Sequence, residues 1–85
     1  METMERRHGD KVVKYRLTRE KGFFTSHIWV YKDGAPWLHF MPSENEGFTR
    51  CFKNCGKYGF LPMGEVAVSF DKITLNSIYL GGEAA

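Results

Sequence analysis

The chain has 85 residues, of which 42% are hydrophobic and 26% are charged, and its net charge is +2. This composition predicts one small soluble globular domain and excludes a disordered chain. No apolar run reaches the roughly 18–20 residues that span a bilayer, and the polar start lacks the apolar segment of a secretory signal. Two cysteines are too few for a disulfide scaffold. We therefore expect a cytoplasmic protein with reduced thiols and no membrane partner.

Aromatic residues are the one unusual feature of the composition. They make up 15% of the chain, with seven Phe, four Tyr and two Trp. Buried rings fill a small core efficiently, and exposed rings are common at binding hot spots. Basic residues concentrate in the first quarter of the chain: Arg6, Arg7, Lys11, Lys14, Arg16, Arg19 and Lys21. A net charge of +2 is nevertheless too weak to indicate a nucleic-acid partner by itself.

The first half of the chain predicts three strands. Residues 1–10 are polar and predict a flexible N-terminal arm. Residues 11–18 alternate apolar and polar side chains, as a half-buried strand does. Residues 23–32 and 37–41 are rich in β-branched and aromatic side chains, which favour strands. The Asp-Gly pair between these two segments is a strong hairpin signal, and we expect Pro36 to lengthen the turn.

The second half predicts one helix followed by two strands. The helix is predicted over residues 44–54, where apolar side chains recur at helical spacing. These side chains are Phe48, Cys51, Phe52 and Cys55. Residues 65–70 and 73–80 predict a second hairpin, and residues 81–85 a flexible tail.

The predicted architecture is an α+β fold in a single small domain over residues 11–80. Its element order is β-β-β-α-β-β, with a largely antiparallel sheet and one helix on one face. A small curled β-barrel with one helix is the alternative, because a twisted sheet of this size can also curl towards closure.

The two faces of the predicted sheet follow from its first strand. Charged side chains are costly to bury without partners, so Lys14 and Arg16 should face solvent. Matching faces across the sheet then predicts the inner residues Val13, Tyr15, Leu17, Ile28, Val30, Leu38, Phe40, Val66, Val68 and Phe70. Phe48 and Phe52 of the predicted helix should cover this inner face.

The opposite face collects the remaining rings beside two cations. The predicted partner-binding residues are Lys14, Arg16, His27, Trp29, Tyr31, Trp37 and His39. An uncovered aromatic and basic face of this kind marks a contact surface. A register slip of one residue, or closure into a barrel, would instead make the same rings part of the core.

No residue pattern predicts catalysis or a cofactor. A zinc site can be imagined from Cys51, Cys55, His27 and His39, but the usual spacing of zinc ligands is absent. A cysteine nucleophile needs a base and an electropositive pocket, and no Cys–His geometry follows from the sequence. We therefore expect a protein that is not an enzyme and has no cofactor, in which each cysteine is a small buried apolar residue. Whether the two cysteines bind a metal stays open.

Two functions fit these features. The first is a non-catalytic binding module, a small inhibitor or regulator that occupies the surface of a partner protein through its aromatic and basic sheet face. A sheet edge also offers a route to a homodimer. The second is a domain for single-stranded RNA or DNA, in which bases stack on Trp29, Tyr31 and Trp37. Phosphates would then be neutralised by the cations Lys14, Arg16, Arg19 and Lys21.

Overall fold

The computed structural model describes residues 1–82. Six consecutive strands form one antiparallel sheet in the order β1-β2-β3-β4-β5-β6, so each strand pairs with its neighbours along the chain. The strands are β1 (Glu2–His8), β2 (Lys11–Lys21), β3 (Ser26–Lys32), β4 (Ala35–Pro42), β5 (Thr49–Asn54) and β6 (Phe60–Val66). The helices are two short 3-10 helices (Gly56–Tyr58 and Phe70–Lys72) and the α-helix α1 (Leu75–Gly82). The sheet is open, because β1 and β6 are its two edges. The predicted α+β class is confirmed, and the barrel alternative is excluded.

The edge strand β1 occupies the segment that was predicted as a flexible arm. It pairs with β2 from Glu2 opposite Leu17 to His8 opposite Lys11, so the prediction for residues 1–10 is wrong over this strand. Its inner side carries Met4, Arg6 and His8, which are only half-buried. Because two of these three side chains are basic, the strand shows no hydrophobic alternation that sequence reasoning could detect.

The hairpin between β3 and β4 was predicted correctly, but its turn is tighter than expected. Asp33 and Gly34 both have positive φ, 51° and 83°, which is the signature of a two-residue type I′ turn. Pro36 lies inside β4, opposite Tyr31. The turn is tied to β2, because Lys14 N–H donates to Asp33 Oδ1 over 3.0 Å.

A β-bulge interrupts the pairing of β3 with β4. Val30 pairs with Leu38, but Tyr31 pairs with Pro36, so Trp37 is the extra residue. An extra residue reverses the alternation of side chains on its own strand. Trp37 therefore lies on the inner face, where it packs against the core.

The predicted helix over residues 44–54 is wrong. Thr49–Asn54 form β5, in which Cys51 faces the core and pairs with Phe40. Phe52, the next residue, points to the other side of the sheet and pairs with His39. Apolar residues on both faces of this strand produced the helix-like spacing, and Gly47 before it has a φ of 83°, which no helix accommodates.

The predicted C-terminal hairpin is also wrong, because residues 75–82 form α1. Thr74 caps this helix: Ser77 N–H donates to Thr74 Oγ1 over 3.2 Å, and Thr74 N–H donates to Ser77 Oγ over 2.9 Å. This reciprocal pair is a capping box with Ser in the position usually held by Glu or Gln. Of the predicted tail, residues 81–82 end the helix, and residues 83–85 lie outside the described residues.

The core lies on the face that the sequence predicted. Its buried sheet residues are Tyr15, Leu17, Ile28, Val30, Leu38, Phe40 and Cys51, and Val13, Val66, Val68 and Phe70 pack against them. The cover is different from the prediction, since Phe48 is 41% exposed and Phe52 lies on the other face. Ile73 and Leu75, at 0% and 2% exposure, cover the core instead.

Two polar anchors hold residues 68–74, which precede α1 and are called the covering segment below, against the sheet. Thr49 is fully buried, and its hydroxyl donates to the carbonyl oxygen of Val68 over 2.6 Å. The Arg19 guanidinium donates to the carbonyl oxygens of Phe70, at 3.3 Å, and Ile73, at 2.5 Å. The covering segment is thus fixed on the inner face.

Candidate functional site: the outer face of the sheet

Trp29 and His39 form the centre of the outer face, the side of the sheet opposite the core. They pair directly across β3 and β4, and their rings stack with centroids 3.9 Å apart and planes within 4°. The indole N–H of Trp29 donates to Glu20 Oε1 over 2.8 Å. Because side chains stand roughly perpendicular to a sheet, the two stacked rings cover one face of each other and present edges to solvent.

His27 joins this pair through a hydrogen bond between two imidazoles. Its Nδ1 lies 2.9 Å from His39 Nε2, so one nitrogen donates and the other accepts. The pKa of His39 is lowered from 6.5, first because burial disfavours the imidazolium and second because of the charge on His27; Glu20 acts in the opposite direction. His39 is therefore mainly neutral at pH 7.

Phe52 and Phe60 extend the ring surface across β5 and β6. The centroid of Phe52 is 5.8 Å from that of His39, and Phe60 meets Trp29 edge to face at 5.5 Å. Both phenylalanines are half-buried. The five residues His27, Trp29, His39, Phe52 and Phe60 are called the outer ring cluster below.

Sequence reasoning missed Phe52 and Phe60 as members of this face. Phe52 was assigned to a helix, and Phe60 lay outside every predicted helix and strand, so neither was placed on the sheet. Burial along β5 has period two, since Thr49 and Cys51 are more buried than Arg50 and Phe52, but the adjacent apolar residues Cys51 and Phe52 hide this alternation in the sequence. For Phe60 the neighbouring glycine and proline concealed the strand.

Charged side chains of both signs surround the outer ring cluster. The Arg16 guanidinium lies 4.2 Å from the ring centroid of its cross-strand neighbour Tyr31, and Arg50 lies 5.1 Å from the centroid of Phe52. Glu20 and Glu65 supply negative charge on the same face, Glu65 as the cross-strand partner of Arg50.

The carboxylate of Glu65 is held in its charged form by the loop after β4. The Ser43 hydroxyl and the Asn45 side-chain amide both donate to it. These hydrogen bonds, in that order, lower the pKa of Glu65; desolvation acts in the opposite direction, and attraction to Arg50 makes the last and smallest contribution to the lowering.

Six of the seven predicted partner-binding residues lie on the outer face: Lys14, Arg16, His27, Trp29, Tyr31 and His39. The structure brings His27, Trp29 and His39 together and places Arg16 on Tyr31. Trp37 is the exception, because the bulge turns it inwards. Its ring centroid lies 5.4 Å from that of buried Tyr15 and 5.0 Å from Lys32 Nζ.

The imagined combination of cysteines and histidines is not assembled. Cys51 is buried on the inner face, where burial raises the pKa of its thiol to about 11, while His27 and His39 lie on the outer face. Cys55 is exposed, so the expectation of a buried cysteine is right for Cys51 and wrong for Cys55. Within residues 1–82, no three His, Cys, Asp or Glu side chains are grouped closely enough to hold a metal ion.

The outer ring cluster has no layer over it in the described part of the chain. The covering segment and Leu75 of α1 pack on the inner face, and all strands among residues 1–82 belong to one sheet, so neither α1 nor a second sheet lies over the rings. None of the helices in this range has the length and apolar character needed to cross a membrane. No known family model matches the sequence, and comparisons with curated proteins and with solved structures find no similar chain.

Proposed function

We propose that this protein is a non-catalytic binding module that occupies the surface of a partner protein through its outer face and thereby acts as a small inhibitor or regulator. The observation that carries the proposal is the outer ring cluster itself. Five rings are packed together and half-buried on a sheet face that no other described element covers. We place this activity in the cytoplasm, because both cysteines are free thiols.

The arrangement has the anatomy of a protein interface. Such interfaces combine a central group of aromatic residues with a polar, charged rim. Here Arg16, Arg50, Glu20 and Glu65 surround the rings, and charges of both signs suit the mixed surface of a protein better than a polyanion. The rings also fix one another by stacking and hydrogen bonds, so little side-chain entropy is lost on binding.

The same geometry disfavours single-stranded nucleic acid. Base stacking needs open ring faces, but the stacked rings of Trp29 and His39 cover each other on one side, and Trp37 lies on the inner face. Arg19, one of the four cations assigned to phosphates, donates to two carbonyl oxygens of the covering segment. Glu20 would lie beside the bound phosphates and repel them.

The sheet edges are less suited to a partner than the outer face. The β1 edge carries the four charged side chains of Glu2, Glu5, Arg6 and Arg7, and the β6 edge contains Pro62. Charges and proline on edge strands discourage the addition of another strand. We therefore assign partner binding to the outer face. A dimer in size-exclusion chromatography would instead indicate a homodimer through a sheet edge.

Capture of proteins from source-cell lysate on immobilised variants tests the proposal. The test variant is Phe52→Ala combined with Phe60→Ala, which removes two rings of the cluster. The control is Tyr58→Ala, because Tyr58 is 68% exposed and lies outside the cluster. Proteins that bind through the outer face should be retained by wild type and by the control but lost from the double variant. Identical capture by all three folded proteins would contradict the proposal.

A gel-shift assay distinguishes the nucleic-acid alternative. Mixed single-stranded oligonucleotides at low and moderate salt should give no complex. Four phosphate contacts would instead produce a complex whose log affinity falls against log salt with a slope of about −3. If such a complex formed and was lost in the Trp29→Ala variant, the outer face would bind nucleic acid and not a protein partner.

A further inference from the structure

A separate cleft lies on the inner face, on the side of the sheet away from the β1 edge. The helix α1 contacts β1 and β2, and the inner faces of β4, β5 and β6 form a concave wall beside it. The cleft has a volume of about 480 Å³, within the roughly 300–1,000 Å³ typical of small-molecule sites. Its apolar wall includes Trp37, Leu38, Phe40, Met63, Val66 and Ile78.

Two β-bulges shape this wall. Trp37 is the extra residue of the first bulge, in β4. Cys51 pairs with Gly64 and Phe52 with Pro62, so Met63 is the extra residue of a second bulge, in β6. Simple alternation would place both side chains on the outer face, yet both line the cleft. Bulges re-aim side chains in this way next to functional sites.

The charged residues among the described lining of the cleft are all basic. Lys32 and Lys53 contribute to its lining, and the described lining residues include no Asp or Glu. Cys51 is the one thiol in the wall, and because burial raises its pKa to about 11, it adds no negative charge at neutral pH. The cleft therefore combines an apolar interior with two lysines, a complement to a molecule with an apolar tail and an anionic head.

We propose that this cleft binds a small amphiphilic acid, a single medium-chain fatty carboxylate. The alkyl chain lies against Trp37, Phe40 and Met63, and the carboxylate is held by Lys53 with Lys32. This site is on the face opposite the outer ring cluster, so the proposal does not rest on the protein-binding function.

Titration of decanoate into a Trp29→Phe variant tests the site. This variant leaves Trp37, which lines the cleft, as the sole tryptophan reporter. Decanoate, kept well below its micelle-forming concentration, should change the fluorescence with saturation at one equivalent. Octanoate lacks two methylenes and should bind about 15-fold more weakly. Decylamine, which has a similar tail and the opposite charge, should bind at least about tenfold more weakly than decanoate.

A matched pair of lysine variants locates the head group. Lys53→Gln removes a charge that lines the cleft, and Lys57→Gln removes the same charge from an exposed turn outside it. Decanoate binding should weaken about tenfold in the first variant and stay within about twofold in the second. No saturable signal, equal binding of decylamine, absence of chain-length dependence or equal effects of the two lysine variants would each overturn the proposal.

Discussion

Replacing Phe40 by alanine should destabilise the protein far more than the same replacement of Phe52. Phe40 is 1% exposed, and it pairs with Ile28 on one side and Cys51 on the other, at the centre of the core. Deleting such a buried ring costs about 3–5 kcal/mol. Phe52 lies on the adjacent strand but on the half-exposed outer face, where loss of its ring contacts should cost about 1 kcal/mol.

Urea unfolding at constant pH measures this difference. An 85-residue domain has a free energy of unfolding of roughly 4–13 kcal/mol, so Phe40→Ala removes a large part of it. With an m-value of about 1.5 kcal/mol per M, its midpoint should fall by about 2–3 M, or the protein should be unfolded without urea. Phe52→Ala should fall by less than about 1 M. Equal losses, or a larger loss for Phe52→Ala, would refute the assignment of the two faces.

Three further predictions concern the anchors, the turns and the histidine pair, and each is tested by urea unfolding. Thr49→Val should cost about 1–3 kcal/mol, since it leaves the carbonyl of Val68 without its donor, and Thr49→Ser should restore most of the loss. Gly22→Ala should cost more than Gly34→Ala, because a Cβ at Gly22 would lie 2.5 Å from a backbone oxygen, whereas Gly34 has a φ of 83° but open space. Because the folded state lowers the pKa of His39 from 6.5, the unfolded state takes up the proton first, so stability should fall as the pH decreases below about 6.5. That fall should be smaller in His39→Gln, and an unchanged pH profile would contradict the argument.

The inner and outer faces of the sheet could be predicted because two basic side chains of β2 have to face solvent. Lys14 and Arg16 cannot be buried cheaply, and the alternation of β2 then fixed Tyr15 and Leu17 as core. Matching faces between paired strands then places Ile28 in the core, and alternation along β3 places His27 and Trp29 on the outer face. This reasoning needs only regular alternation, and it held wherever the strands are regular.

Bulges and two-sided strands set the limit of that reasoning. One extra residue in β4 moves Trp37 to the inner face, and nothing in its own sequence marks the insertion. In β5, Cys51 and Phe52 are apolar on opposite faces, so the strand imitates a helix. The aromatic ring of Phe52 contributes to the proposed binding face, and the same ring prevented β5 from being recognised as a strand in the sequence.

The C-terminal helix was missed for a related reason. Ile73, Thr74 and Ile78 are β-branched and favour a strand locally. Burial of Ile73 and Leu75 against the core, and the hydrogen bonds between Thr74 and Ser77, override that preference. The cap was visible in the sequence only as a Thr and a Ser three residues apart, which is weaker than the usual capping box.

The affinity of a purified captured partner for Phe52→Ala and Tyr58→Ala tests the proposed binding face most directly. Both variants remove one ring, and unfolding measurements establish that both remain folded. Truncation of a ring within an interface hot spot should weaken binding at least about tenfold for Phe52→Ala, while Tyr58→Ala should stay within about twofold of wild type. A folded Phe52→Ala protein that binds as tightly as wild type would contradict the outer ring cluster as the partner site.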